Sequence, residues 1–243
     1  MEIRLHGRGE APRPVAVTMR TPGNDFELAV GFCVSEGLLG GGERVEQVEY
    51  CVGPNGTQEF NVVTIRRQSL VGDSLRSRPY SATASCGVCG KETLADLAVR
   101  CNLVASKTTF SWVTVSRLPS RVTTDQKLFD ATGGIHSASL FDSCGEILLT
   151  REDVGRHNAL DKLIGSEFLA RRLPLDDRGV FLSGRIGFEL VQKAAVAGIG
   201  LIVAFGAPTS LAIETANQFG ICLVGFLKAD RANVYTHRER VTT

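Results

Sequence analysis

The sequence has no long apolar run and almost no net charge, and these two absences exclude several classes of protein. Its apolar stretches are short and broken by charged residues or glycine, so none could cross a membrane as a helix. Lysine and arginine number 27 against 26 aspartate and glutamate, which leaves a formal net charge of +1. No overall field therefore draws the chain to nucleic acid or to a membrane surface, and we expect it to bind neither.

An export signal and a disulfide framework are also missing. The first residues, Met1-Glu2-Ile3-Arg4, do not form the apolar region of a signal peptide. The 7 cysteines are an odd number without framework spacing. Reduced thiols are typical of the cytosol, so we expect a cytoplasmic protein.

The pattern of the chain changes near its middle and predicts an α/β fold in two parts. Residues 1–80 are expected to form a β-rich N-terminal part with one helix, packed on the core. Residues 81–243 are expected to form the α/β core that carries the cysteine loop and the ligand site. Strands and helices alternate from Ile135 onward, and the last three strands with the helices between them imply a parallel sheet with right-handed crossovers.

Local signals predict the individual elements. Asn24 with Glu27 three residues later is typical of a capping box at a helix start. Gly133-Gly134 is expected to end a helix. The predicted strands cover residues 15–19, 45–52, 59–66, 135–141, 146–150, 179–182, 200–205 and 221–227. The predicted helices cover residues 24–37, 119–131, 156–170, 186–197 and 209–219.

Three strand-to-helix turns are candidate anion sites, because helix N-termini in α/β sheets point at the carboxyl ends of the strands. They are Ser183-Gly184-Arg185, the 206–210 turn with Thr209, and the 151–158 turn. The first combines free N–H groups, a hydroxyl and a guanidinium, which suits phosphate. None matches the P-loop or dinucleotide-binding pattern, and serine and threonine at such positions are also ordinary helix caps.

Residues 151–162 are denser in charge than helix capping requires. The segment holds Arg151, Glu152, Asp153, Arg156, His157, Asn158, Asp161 and Lys162. Surface ion pairs at a helix start would explain it equally well. His157, and likewise His136 after Gly133-Gly134, could be a buried histidine without a chemical role.

Cys86 and Cys89, in Ser85-Cys86-Gly87-Val88-Cys89-Gly90, form the one close cysteine pair. A structural zinc site would need two further ligands at suitable spacing, and none follows. A thioredoxin-like redox pair normally follows a buried strand, whereas residues 80–85 are small and polar. A third interpretation is a persulfide carrier, in which one thiolate accepts sulfur and the other assists release. A helix is predicted after Cys89, and its N-terminus would favour a thiolate.

These motifs together closely resemble the FdhD family of formate dehydrogenase accessory sulfurtransferases. The matching segments occur in the same order along nearly the whole chain, and they are residues 19–32, 85–90, 132–136, 151–162, 183–186, 188–190, 206–212, 225–227 and 233–236. The resemblance implies a cytidine-deaminase-like core, with a mixed or parallel sheet flanked by helices. The zinc deaminase signature is absent from the chain, so the fold likeness does not imply deamination.

The resemblance also implies a function. The family takes sulfur from a cysteine desulfurase as a cysteine persulfide and passes it to a molybdenum cofactor with two molybdopterin guanine dinucleotides. That cofactor then enters formate dehydrogenase, the client. The persulfide cysteine of the family matches Cys86, and its cofactor-binding segment matches Phe226, Leu227, Lys228, Ala229, Asp230 and Arg231. The resemblance further suggests a homodimer.

The candidate site therefore has two parts. Cys86 and Cys89 are expected to carry the sulfur chemistry. The 226–231 segment is expected to bind the cofactor or its guanine nucleotide fragments together with Ser183, Gly184, Arg185, His136, His157 and Thr209. We expect no metal held by the protein's own side chains, and one cavity shared by His136 and the 151–162 segment. A cofactor-binding chaperone without sulfur transfer, or a thiol oxidoreductase, are the alternatives.

Overall fold

A computed structural model describes residues 1–40, 42–53, 56–68, 80–81 and 103–243. The strands are Glu2–His6 (β1), Arg13–Val17 (β2), Val45–Val52 (β3), Gln58–Arg67 (β4), Tyr80–Ser81 (β5), Phe110–Ser111 (β6), His136–Phe141 (β7), Ile147–Asp153 (β8), Gly179–Leu182 (β9), Leu201–Ala204 (β10), Cys222–Gly225 (β11), Asn233–Thr236 (β12) and Val241–Thr242 (β13). The α-helices are Asp25–Ser35 (α1), Trp112–Val122 (α2), Lys127–Thr132 (α3), Arg156–Leu169 (α4), Phe188–Ala197 (α5) and Ser210–Gln218 (α6).

The N-terminal sheet has the strand order β3-β4-β1-β2-β5. Its central strand β1 pairs antiparallel with β2 and parallel with β4. Alternate residues of β1, Ile3 and Leu5, are fully buried, as the two-residue repeat of a strand with one buried face requires. Among the described residues of this part, strands β1 to β5 and helix α1 agree with the β-rich pattern that the sequence predicts. The division into domains after residue 80 stays a prediction.

The second sheet has the strand order β12-β11-β10-β9-β7-β8. Strands β9, β10 and β11 are parallel neighbours, and α5 and α6 connect them. The predicted β-α-β-α-β unit and the α/β class are therefore confirmed. Strand β7 is antiparallel to β8 and β9, and β12 is antiparallel to β11, so the sheet as a whole is mixed.

Helices cover both faces of the second sheet. Side chains from α4, α5 and α6 share one apolar cluster with Val180, Ile202 and Leu223 of the strands. The neighbouring strand residues point the other way, and Val203 and Val224 pack with α2 in a second cluster. The alternation within each strand therefore builds a core on each side of the sheet.

The N-terminal part is joined to the second sheet through helices α1 and α4. A methyl group on Gly31 of α1 would overlap the carbonyl oxygen of Asp161 in α4. One on Gly165 of α4 would likewise overlap the carbonyl oxygen of Glu27 in α1. Only glycine at both positions allows the two backbones to touch, so the helices pack backbone against backbone.

Two local predictions were wrong. Asn24 has a left-handed backbone (φ 57°), and its side chain does not cap α1. The helix predicted over 119–131 begins earlier, at Trp112, because Ser111 Oγ accepts a hydrogen bond from the N–H of Thr114. It ends at Val122, and a 3₁₀ turn, Thr123–Asp125, separates it from α3. Pro119 lies inside the helix rather than at its start.

Candidate functional site

One edge of the second sheet collects the candidate residues. This carboxyl edge consists of the residues that follow β8, β9, β10 and β11 and the residue that begins β7. In strand order it presents Arg156 and His157, then His136, then Ser183, Gly184 and Arg185, then Phe205 to Thr209, then the 226–231 segment. It is roughly 19 Å long, because it crosses four strand spacings of about 4.8 Å each.

His136 and Ser183 meet near the β8 end of the carboxyl edge. Ser183 Oγ accepts a hydrogen bond of 2.9 Å from the N–H of Ser137 and lies 3.4 Å from His136 Nδ1. A Cβ on Gly184 would be only 3.1 Å from the His136 ring, so the glycine leaves room for the imidazole against the turn. The structure thus brings together three predicted site residues from two strands.

The charge state of His136 follows from its surroundings. Partial burial lowers the pKa of His136 below its usual 6.5, and the positive charges of Arg156 and His157 lower it further. The imidazole is therefore neutral at pH 7, with one nitrogen able to donate a proton and the other able to accept one.

Arg156 and Glu189 belong to the same group, and the sequence analysis gave Glu189 no role in the site. His157 Nε2 lies 3.5 Å from Glu189 Oε2, an ion-pair separation rather than an aligned hydrogen bond. This histidine lowers the pKa of Glu189. Arg156 Nε and His157 Nε2 are buried and have no hydrogen-bond partner among the described residues. Buried donors normally have partners, so these two nitrogens fit a site that a ligand or water completes.

Three residues of the 151–162 segment bind the docking strip, residues 18–21, which follows β2. Asp153 accepts from the N–H of Thr21 at 3.0 Å, Asn158 donates to the Met19 carbonyl at 2.7 Å, and Lys162 donates to the Thr21 carbonyl at 2.9 Å. Lys162 and Asp153 form a 2.8 Å ion pair with both side chains at most 1% exposed. Arg156 and His157 of this segment adjoin His136. The expectation that the segment lines a shared cavity stays a prediction.

The 226–231 segment begins with an aromatic ring at the surface. Phe226 is 46% exposed and has a left-handed backbone (φ 54°), which is unusual for a bulky residue. The side chain of Leu227 is buried in the α2 cluster, so this residue could meet a ligand only through its backbone. The N–H of Lys228 donates to the Arg231 carbonyl at 2.8 Å, which closes a tight turn. Lys228, Ala229, Asp230 and Arg231 are exposed.

The turns after β9, β10 and β11 pack directly on one another. A Cβ on Gly206 would lie 2.6 Å from the Gly184 carbonyl oxygen, so a side chain there would push the two turns apart. The N–H of Phe226 donates to the Gly206 carbonyl at 3.2 Å. Thr209 is the N-cap of α6, and its hydroxyl accepts from the N–H of Ala212 at 3.2 Å. Its predicted ligand role therefore depends on the hydroxyl proton, which the cap leaves available.

Cys86 and Cys89 lie outside the described residues, as does the helix predicted after them. Among the cysteines that are described, Cys33 and Cys222 are buried. Burial raises the pKa of both thiols, that of Cys222 to about 12, so neither forms a thiolate at neutral pH. Cys51 is half-buried, and Cys144 is exposed.

Two absences apply to the described ranges only. There, no group of three or more His, Cys, Asp or Glu side chains is placed to hold a metal ion. Within the same ranges, no helix combines the length and the apolar character needed to cross a bilayer.

Comparison with known proteins gives consistent matches over the whole chain. The profile of the FdhD/NarQ family matches residues 2–242. A protein named sulfur carrier protein FdhD from Mycolicibacterium paratuberculosis is 42% identical over 247 residues, which cover 99% of this chain and 89% of the relative. Its namesake from Sulfurisphaera tokodaii is 41% identical over 226 residues, which cover 93% of this chain and 84% of the relative.

A solved structure shares the fold. A formate dehydrogenase accessory protein from Desulfotalea psychrophila superimposes with a TM-score of 0.75 over 99% of this chain and 88% of its own. At 22% sequence identity, this similarity supports the architecture alone.

Proposed function

Because the chain belongs to the FdhD/NarQ family, we propose that it is a sulfurtransferase that carries sulfur as a persulfide on Cys86. The donor is a cysteine desulfurase. The acceptor substrate is the molybdenum cofactor with two molybdopterin guanine dinucleotides, before it enters formate dehydrogenase. The relatives named sulfur carrier protein FdhD support the sulfur-carrying role in general.

The observation that carries the acceptor side of the proposal is the carboxyl edge. Its length of roughly 19 Å suits an extended ligand rather than a single small anion. Exposed cations occur at several places along it, at Arg185, Lys228 and Arg231. Phosphate groups bind where helix N-termini and guanidinium groups converge, so guanine nucleotides should bind here as fragments of the substrate.

Chain connectivity supports placing the thiol near the same edge. Strand β5 runs parallel to β2, with Ser81 beside Val17. Cys86 follows Ser81 by five residues in the sequence. Val17 leads into the docking strip, which is bonded to Asp153, and Asp153 pairs with His136 across β8 and β7. Ser81, the described residue that precedes the cysteine pair, is thus close to the β8 end of the carboxyl edge.

The chemistry divides into two exchange steps. The Cys86 thiolate attacks the outer sulfur of the desulfurase persulfide, which forms a new persulfide and releases the desulfurase thiolate without net oxidation. For release as sulfide, Cys89 attacks the inner sulfur, so that a Cys86–Cys89 disulfide forms while the transferred sulfur is reduced by two electrons. A thiol reductant then restores the pair. Neutral His136 is suited to exchange a proton during these steps.

Three further expectations stay predictions. They are the assignment of the α/β core to the cytidine-deaminase-like class, the homodimer and the cytoplasmic location.

Mass spectrometry after incubation with a cysteine desulfurase and cysteine tests the proposal. A peptide containing Cys86 should gain about 32 Da for each sulfur carried as a persulfide. The gain should vanish in Cys86→Ala and persist in Cys144→Ala, a control that removes an exposed thiol. A gain that remains in Cys86→Ala at another cysteine would refute the assignment.

Activation of formate dehydrogenase separates the alternatives. A binding chaperone without sulfur transfer would still work with Cys86→Ala. A thiol oxidoreductase would lose dithiol exchange on removal of either Cys86 or Cys89, and it would not acquire the added sulfur.

A further inference from the structure

Phe205 is an exposed aromatic residue on the carboxyl edge for which neither the motifs nor the fold requires a ring. It directly follows β10 and is 40% exposed. Its ring contacts Phe181 of β9 edge to face, with centroids 4.8 Å apart. Phe181 belongs to the apolar cluster under α2, so Phe205 continues that cluster outward to the surface. The contact anchors the Phe205 ring while the residue stays 40% exposed to solvent.

Phe205 and Phe226 occupy matching positions on neighbouring strands. Val203 of β10 pairs with Val224 of β11. Phe205 and Phe226 each follow two residues after their member of this pair. The hydrogen bond from the Phe226 N–H to the Gly206 carbonyl holds the two backbones together beyond the strand ends. Two exposed aromatic residues therefore stand side by side where the parallel strands end.

We propose that Phe205, beside Phe226, provides the stacking surface for the guanine base of a bound nucleotide. The inference rests on the proposed function, since it assumes a guanine nucleotide ligand at the carboxyl edge. Every purine has a flat face that stacks on an aromatic ring, and an exposed ring that is already anchored by a neighbour loses little freedom when a base covers it. The exposed cations on adjoining turns, Arg185 and Lys228, are placed for the phosphates of the same ligand.

Calorimetry with GDP and with inorganic pyrophosphate tests the inference. Phe205→Ala should weaken GDP binding roughly 5- to 100-fold, the usual effect of removing a ring from under a base. Pyrophosphate binding should not change, because pyrophosphate has no base. Phe60→Ala is the matched control, since Phe60 is 59% exposed and contacts Tyr50 edge to face in the N-terminal sheet. It should bind GDP like the unaltered protein.

A second variant guards against misfolding of Phe205→Ala. Phe205→Trp keeps a stacking ring, and its fluorescence should be quenched when GDP binds. The chain has a single natural tryptophan, so the background signal is small. Phe60→Trp should show no quenching.

The outcomes distinguish the inference from the proposed function. Unchanged GDP affinity in Phe205→Ala, or an equal loss for GDP and pyrophosphate, would overturn the stacking role and leave the sulfur carrier standing. Absence of GDP binding to the unaltered protein would overturn both the stacking role and the guanine nucleotide part of the proposed function. Sulfur loading of Cys86 would still be measured independently by mass.

Discussion

The junction between the two parts of the molecule and the carboxyl edge both contain many charged side chains, but the two regions pair these charges differently. At the junction, Lys162 pairs with Asp153 at 2.8 Å, and Lys193 pairs with Asp161 at 3.0 Å, all of them buried. At the edge, Arg185 is exposed, while Arg156 and His157 each keep a buried nitrogen without a hydrogen-bond partner among the described residues.

The difference separates charges that hold the fold from charges that await a ligand. A buried ion costs several kcal/mol unless it is paired, so the junction pairs are required for assembly. Exposed or partly satisfied cations add little to folding and remain available for an anion. Asp153 and Lys162 belong to the first class and Arg156 to the second, although all three lie in one short segment. A dense run of charged residues in the sequence can therefore include both charges that stabilise the fold and charges that are available to a ligand.

The largest expected effect comes from breaking a junction pair. Lys162→Met leaves Asp153 buried without its cation and removes the bond to the Thr21 carbonyl. We expect the free energy of unfolding, measured in urea, to fall by about 3–5 kcal/mol. Arg178→Met is the control, because Arg178 pairs with Asp177 at the surface and should cost at most about 1 kcal/mol. Similar losses in the two variants would contradict the division between the regions.

A variant at the carboxyl edge should show the opposite pattern. Arg185→Ala should weaken GDP binding by about 1.5–3 kcal/mol if the guanidinium donates to phosphate. Its free energy of unfolding should stay within about 0.5 kcal/mol, because Arg185 is exposed. Arg117→Ala, which removes an exposed arginine from α2, should alter neither quantity. Unchanged GDP affinity by calorimetry would remove Arg185 from the site.

The smallest effect concerns pH. Because the pKa of His136 is lowered in the fold, the unfolded chain binds the proton more readily. Stability from this residue is complete above pH 6.5 and declines as pH falls towards the folded pKa. His136→Gln should therefore lose less stability than the unaltered protein when the pH is lowered from 7.5 to below the folded pKa of His136. NMR titration should give a pKa of His136 below 6.5. GDP should raise this pKa, because phosphate favours the imidazolium. A pKa of His136 at its usual value that does not change when GDP binds would contradict the electrostatic account.

The sequence predicted the parts of the fold that depend on local patterns. The apolar runs at 179–182 and 200–205, with the helical repeat between them, anticipated β9, α5 and β10 closely. The docking strip could not be predicted, because Thr18 to Thr21 bind residues more than 130 positions away. Nothing local to Asp153 or Lys162 indicates that partner.

The candidate site was anticipated only in part for the same reason. Ser183 and His136 were identified from motifs, but their proximity depends on β7 and β9 being neighbours. Glu189 lies in a recognised motif, yet its contact with His157 requires α4 and α5 to pack together. Phe205 could have been noticed as the aromatic residue that ends a buried strand, although only the strand register sets it beside Phe226.

The carboxyl edge has no internal symmetry, and this matters for the proposed acceptor substrate, which has two identical nucleotide arms. Its β11 end carries aromatic rings, Phe205 and Phe226, whereas its β8 end carries histidines beside Arg156 and Glu189. An acceptor laid along the edge would meet different chemistry at each end, so its two equivalent halves would become inequivalent on binding. The proposed substrate would then present one preferred side to the incoming sulfur, and the protein would impose a direction that the substrate itself lacks.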